Sequence, residues 1–246
     1  MKKLLFFLSF LISLHSFSQK TEKLALRKYK IATLSDSLKE TSGLTFLKDK
    51  LYTLNDGGNT NEIFEIDKNS GKILSKLKTD FPNKDWEAIT SDGENFYIGD
   101  FGNNAGNRRD LAIYKNDFQG NYSKNSFNYS AQDDFSTRYL SHNFDAEAMI
   151  FLNEKIHVFS KEWSSKNISH YIVELQNSEN QSLVSLESFH AGFVITDAAY
   201  FEGKLYVVGY TRKAKVYLMI FEGNSEGLFF FFFLKKYKLG SFLWVG

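Results

Sequence analysis

The sequence contains no cysteine and a single proline, Pro82. Without thiols there is no disulfide framework, no thiolate nucleophile and no sulfur-based metal site. Its five histidines, His15, His142, His157, His170 and His190, fall at no zinc-ligand spacing. There is no P-loop and no dinucleotide fingerprint. An excess of one charge is also lacking, with 30 basic against 29 acidic residues. Such a balance gives no electrostatic reason to bind nucleic acid, so none is expected as a partner. No apolar run approaches the about 20 residues that a bilayer-crossing helix needs.

Aromatic residues are abundant, at 17% of the chain with 25 Phe and 13 Tyr. These side chains favour the pleated surface of a sheet. The first residues carry the marks of an export signal: basic Lys2 and Lys3, an apolar stretch from Leu4 to Leu14, and small Ser16 and Ser18 before Gln19. Residues 1–18 are therefore expected to be removed, giving a secreted, periplasmic or cell-surface protein with no transmembrane segment. The remaining 19–246 are expected to form one β-propeller domain.

An internal repeat supports that expectation. Ser42-Gly43-Leu44, Glu87-Ala88-Ile89, Glu147-Ala148-Met149 and Asp197-Ala198-Ala199 each place a polar residue before a tiny one. A tight turn follows each time, and a second strand begins 9, 9, 9 and 8 residues after the polar residue, at Leu51, Phe96, Ile156 and Leu205. Third strands read at 63–67, 111–115, 170–175 and 216–221, and fourth strands at 72–78, 126–129, 183–189 and 228–239. Four antiparallel strands recurring at this period are the signature of propeller blades. The tiny residue suits the crowded innermost strand. The predicted fold class is thus an all-β propeller of four-stranded blades, four of them visible.

The ring is expected to be cut short before closure. Leu26 to Ile31 (LRKYKI) resembles Leu234 to Leu239 (LKKYKL), and the step that leads from Tyr29 to Ser42 would lead from Tyr237 past the last residue. The first of these twins is read as a spare outer strand. The run Phe229 to Phe233 is read as a buried strand. Gly223-Asn224-Ser225-Glu226-Gly227 matches G-x-S-x-G, but a Phe-rich strand follows it where a nucleophile elbow needs a helix, so it reads as a hairpin turn.

In a propeller the start of each first strand and the end of each second strand meet at one mouth of the channel. Acids recur there, and Asp56, Glu87, Asp100, Glu147 and Asp197 are the candidate metal ligands. Asp85 and Asp145 stand two residues before the two glutamates. The loops after Asp56 and Asp100 are rich in Asp, Asn and Gly, which suits Ca2+ and its oxygen ligands; the same composition is common in plain turns. Arg108, Lys161 and Arg212 are candidate contacts for an anionic ligand, or members of a structural salt-bridge network. Trp86, between Asp85 and Glu87, would either stack on a ligand or pack between blades.

The stretches Ser42-Gly43-Leu44, Asn55-Asp56-Gly57-Gly58, Asp85-Trp86-Glu87-Ala88-Ile89 and Gly99-Asp100-Phe101-Gly102-Asn103-Asn104 together resemble a largely uncharacterised family of secreted β-propellers of Bacteroidetes type. The likeness covers roughly residues 40–220. A more distant similarity to phytase-like and NHL-type propellers implies calcium or phosphoester ligands. Two expectations of different class follow: a binding propeller for a small-molecule or cell-surface ligand with a Ca2+-assisted mouth, or a metal-dependent phosphoesterase or lactonase-like hydrolase using the same acids. A purely structural or interaction module is a third. The sequence places no metal-activated water beside a base, so it leaves the choice open.

Overall fold

The computed structural model describes residues 20–241 apart from 39 and 178. The expected export signal, residues 1–18, lies outside the described residues. Four small antiparallel sheets stand in a ring. Blade one is built from β2 (Thr41–Leu47), β3 (Lys50–Asn55), β4 (Glu62–Ile66) and β5 (Ile73–Lys78); a short β1 (Thr21–Lys23) precedes it. Blade two is β6 (Trp86–Ser91), β7 (Phe96–Asp100), β8 (Ala112–Asn116) and β9 (Tyr122–Tyr129). In blade three β10 (Ala146–Leu152), β11 (Lys155–Ser160) and β12 (Asn167–Glu174) are completed by β14 (Glu187–His190), while β13 (Gln181–Leu183) crosses to blade two. Blade four is β15 (Val194–Phe201), β16 (Lys204–Tyr210), β17 (Lys215–Glu222) and β18 (Phe232–Ser241).

Three of the first hairpins turn on two residues of positive φ: Lys48-Asp49, Asn153-Glu154 and Glu202-Gly203. That geometry matches the right-handed twist of the flanking strands and fixes their register. Blade two turns instead on a longer loop, in which the Asp92 carboxylate accepts the N–H groups of Glu94 and Asn95. Three pairs of neighbouring blades share an apolar layer: Leu54, Ile63 and Trp86 between one and two, Ile113, Phe127 and Val158 between two and three, and Ile195, Leu205 and Phe221 between three and four. At Gly43 an added Cβ would lie 3.1 Å from the Ile89 nitrogen, so the inner strand of blade one needs its tiny residue to lie against blade two.

Three expectations change. The stretch 183–189 is not one strand: residues 181–183 add in parallel to β9, and only from Glu187 does the chain pair with β12. Leu26–Tyr29 is a 3-10 turn rather than a strand; Thr21–Lys23 pairs instead, in parallel, with β18. The Phe run is only partly buried. Phe229 is enclosed beside His157 and Phe159, whereas Phe231 and Phe232 stand in solvent. Asn224 closes the preceding G-x-S-x-G segment as a turn, its side chain accepting the Glu226 and Leu228 N–H groups.

The fourth seam differs from the other three. Inner strands lie directly against one another from β2 to β6, β6 to β10 and β10 to β15. β15 and β2 make no comparable approach, and two cavities lined by all four inner strands open along the channel, one at each end. The N-terminal segment spans this seam: β1 is hydrogen-bonded to blade four, and Leu34 and Leu38 pack on Phe64 and Ile66 of blade one. The sequence suggested a ring left short of closure; the described chain has four sheets in a ring, with this segment joining the fourth to the first.

Candidate ligand site at the channel mouth

Every first strand carries a break in register near its start. The extra residue is Glu87 in blade two, Glu147 in blade three and Thr196 in blade four, and it falls within Ser42-Gly43 in blade one. A bulge leaves one residue unpaired and re-aims its side chain. Glu87 and Glu147 thereby face the channel. The same register explains the offset of 8 in blade four: the residue equivalent to the glutamates is Thr196, and Asp197 occupies the place of Ala88 and Ala148.

A cavity of about 470 Å3 at the mouth is lined by Ser42, Asp56, Glu87, Glu147 and Asp197 among others. A second, of about 510 Å3, shares Asp56, Glu147 and Tyr210 and continues to Asn104, Trp163 and Arg212. Four of the five acids singled out in the sequence thus line one cavity. Asp100 does not. Its carboxylate accepts Arg108 Nη2 at 2.8 Å and the Asp85 N–H at 3.2 Å.

The tightest grouping is Asp56, Asp85 and Glu87, which each offer an oxygen within 4.8 Å of the others. Asp56 follows β3, Asp85 precedes β6 and Glu87 is the bulge residue. Two glycines stand against them. A Cβ on Gly102 would come within 2.5 Å of Asp85 Oδ2 and Glu87 Oε1, and one on Gly57 would overlap Asp85. Burial is the main cause that pushes Asp85 up to about 6 and raises Asp56. It also raises Glu87 well above the ordinary carboxylate range, with Asp56, Asp145 and Asp85 adding repulsion. Asp197, half-buried on the far wall, is pushed up to about 6 by burial.

The cations are largely committed. Arg108 holds Asp100, reaches Asp110 at 3.1 Å through Nε and donates to the Gly102 carbonyl at 2.9 Å; Asp85 lies 3.9 Å away. Lys161, buried, forms an ion pair with Glu147 and lies 4.7 Å over the Trp163 ring. Its N–H donates to the carbonyl of Asp145, whose buried carboxylate accepts from Asn103 N–H and Trp163 Nε1. Arg212 is exposed and donates to the Leu140 carbonyl at 3.1 Å. Trp86 is fully buried between blades one and two, with Nε1 donating to the Pro82 carbonyl. It packs between blades and offers no face to a ligand.

Asp85 was the member of the trio that the repeat concealed as a mere strand start. Its spacing to Glu87 matches that of Asp145 to Glu147, yet the Asp145 carboxylate is spent on Asn103 and Trp163 while that of Asp85 lies beside Asp56 and Glu87. Tyr210 had no signal in the repeat beyond its place at the end of a second strand, and Trp163, in the loop after β11, had none.

No protein-family model matches the chain, and no curated protein matches it. Solved structures similar to it include two candidate 6-phosphogluconolactonases, from Bacteroides uniformis (12% identity, TM-score 0.42, 79% of this chain and 55% of that one) and Bacteroides fragilis (14%, 0.43, 79% and 56%). Another is the β-propeller domain of Cps50 (Swd1) from Myceliophteria thermophila (12%, 0.43, 76% and 54%). The chain spans about half the length of these proteins. At such scores the likeness adds nothing to what the sheets show by themselves: the chain is a four-bladed β-propeller.

Proposed function

We propose that this chain is an exported binding propeller whose mouth holds Ca2+ on Asp56, Asp85 and Glu87, and that the ion and the polar walls around it receive an anionic ligand. The observation that carries this reading is the trio itself, with oxygens within 4.8 Å and glycines where any Cβ would fill the space beside them. Carboxylates so close, with Glu87 buried and the other two half-buried, repel unless protons or a cation sit among them. An all-oxygen donor set of this kind suits a hard cation, which takes its remaining ligands from solvent or from the bound molecule. The ion's charge would draw an anionic group toward the second cavity, where Arg212 and Tyr210 stand.

Calcium titration followed by calorimetry and thermal unfolding tests the reading. At a hundredfold excess over the dissociation constant, linkage adds about 2.7 kcal/mol, or a rise of roughly 5–10 °C for a chain of this size. Asp56→Asn with Glu87→Gln is expected to abolish that rise. If calcium shifts nothing and the double variant is the more stable protein, the acids only repel one another and the binding reading falls.

A further inference from the structure

The outer edge of blade four and the segment that leaves it form a surface unlike the rest of the molecule. β18 begins with Phe231 and Phe232 at its foot, 77% and 58% exposed, followed by exposed Leu234. Lys235 and Lys238 follow on the same strand, one on each face of this edge. Beside them β1 brings Lys20 and Lys23, because Thr21 pairs with Lys236 and Lys23 with Lys238. The chain then continues through Arg27, Lys28 and Lys30, with Leu26 47% and Tyr29 65% exposed among them.

Seven cations lie along this edge and the segment beyond it, with Glu22 between them and Glu222 opposite Phe232 at the foot, in a sequence whose 30 basic and 29 acidic residues otherwise balance. Among the described residues none of the seven takes part in an ion pair. Lys236 is different: it turns inward over Phe193 and Tyr217 and donates to the Ala191 carbonyl. The two LxKYKx twins noted in the sequence are thus gathered on one side of the ring, and neither is used at the mouth.

We infer that this edge is a docking surface for an anionic lipid membrane. Charge complementarity selects an anionic partner. The apolar side chains at the foot of the strand narrow it further: a polyanion in water has nothing for Phe231, Phe232 and Leu234 to enter, whereas a bilayer interface accepts aromatic and aliphatic side chains below its headgroups and cations beside them. Binding needs both parts, since neither a few buried rings nor a screened patch of lysines holds a protein alone. None of these residues lines the mouth cavities, so the molecule can be held at a membrane with its ligand site open.

Residues 19–246, which include every strand of the four blades, can be floated with vesicles of phosphatidylcholine alone or with three parts in ten of phosphatidylglycerol. Binding is expected only to the anionic vesicles, weakening steeply as salt is raised. Each cation removed should lower the partition coefficient about fivefold, so Arg27→Gln with Lys28→Gln and Lys235→Gln should nearly abolish it. Phe231→Ser with Phe232→Ser should reduce it at least tenfold at unchanged charge. A circular dichroism spectrum and melting point like those of the parent chain keep misfolding from imitating the result. Equal binding to both vesicles, none to either, or a Phe pair variant that binds as well as the parent overturns the proposal. So does self-association that the Phe substitutions abolish without any vesicle binding, because the edge is then an interface between copies of the chain.

Discussion

His157 Nδ1 lies 2.8 Å from His170 Nε2, with the two rings stacked inside the layer between blades three and four. His170 Nδ1 lies 2.9 Å from Glu187, and that carboxylate also accepts the Phe229 and Phe230 N–H groups. The relay ties the outer strand of blade three to the start of the Phe run. Glu187 is also the residue at which the chain starts to pair with β12.

Burial, then the neighbouring His170, lowers His157 from 6.5 to about 4. A histidine depressed in the folded state binds its proton more readily when unfolded. Its contribution to stability is therefore full above about 6.5 and is lost as the pH falls toward 4. The loss amounts to about 3 kcal/mol over that window. The mouth acids act oppositely, so the effect is read as a difference: His157→Gln should flatten the fall in urea midpoint between pH 6.5 and 4 relative to the parent. Parallel pH profiles would show that His157 is not depressed.

Asp85, pushed up to about 6, and the raised Glu87 carry the opposite sign. Their folded pKa values lie above the unfolded ones, so the folded state gains at low pH; the part due to Asp85 is lost as the pH rises through about 6, and Glu87 acts in the same direction. Without calcium, Asp85→Asn should stabilise the protein at pH 7.5 by about 1–2 kcal/mol and have little effect at pH 4.5. With calcium the sign should reverse, because the ion needs the carboxylate. Calcium affinity should also weaken as the pH falls through 6. Thermal unfolding at the two pH values, with and without the ion, checks all of these outcomes.

Lys161 is the buried counter-charge of the mouth, paired with Glu147 and beside Asp145. Lys161→Met strips that cation and leaves acids behind it, for an expected loss of about 3–5 kcal/mol. Adding Glu147→Gln should recover a good part. Equal loss in the single and the double variant would show that Lys161 acts by packing on Trp163 rather than by charge.

The ring was legible because its signals are local and repeated. Alternating apolar residues, two-residue turns such as Asn153-Glu154 and a tiny residue at Gly43, Ala88 and Ala148 recur in step. The site was legible in part. Asp56, Glu87, Glu147 and Asp197 were placed at one mouth, but the one-residue shift of blade four depends on a bulge at Thr196, which hydrogen-bond register alone reveals. That Asp100 and Arg108 satisfy each other, and that Asp85 completes the trio, are consequences of side-chain geometry with no sequence period. β13 and β1 escaped notice for a similar reason: both are three-residue strands held by parallel pairing with a distant neighbour.

The N-terminal clasp yields the last prediction. Leu38 is buried on Phe64 and Ile66, and Leu34 and Leu51 pack around them. This contact fastens the segment to blade one, as β1 fastens it to blade four. Leu38→Ala removes a buried side chain, at an expected cost of about 3 kcal/mol, whereas Leu26→Ala, on the exposed stretch between the fastenings, should stay within about 0.5 kcal/mol. If the clasp holds the fourth seam, Leu38→Ala should also speed trypsin cleavage at Arg27, Lys28 and Lys30 under native conditions, because one end of the segment is then loose. Cleavage there at the parent rate, alongside the full loss of stability, would mean that Leu38 supports blade one alone and that the seam is held by β1 pairing.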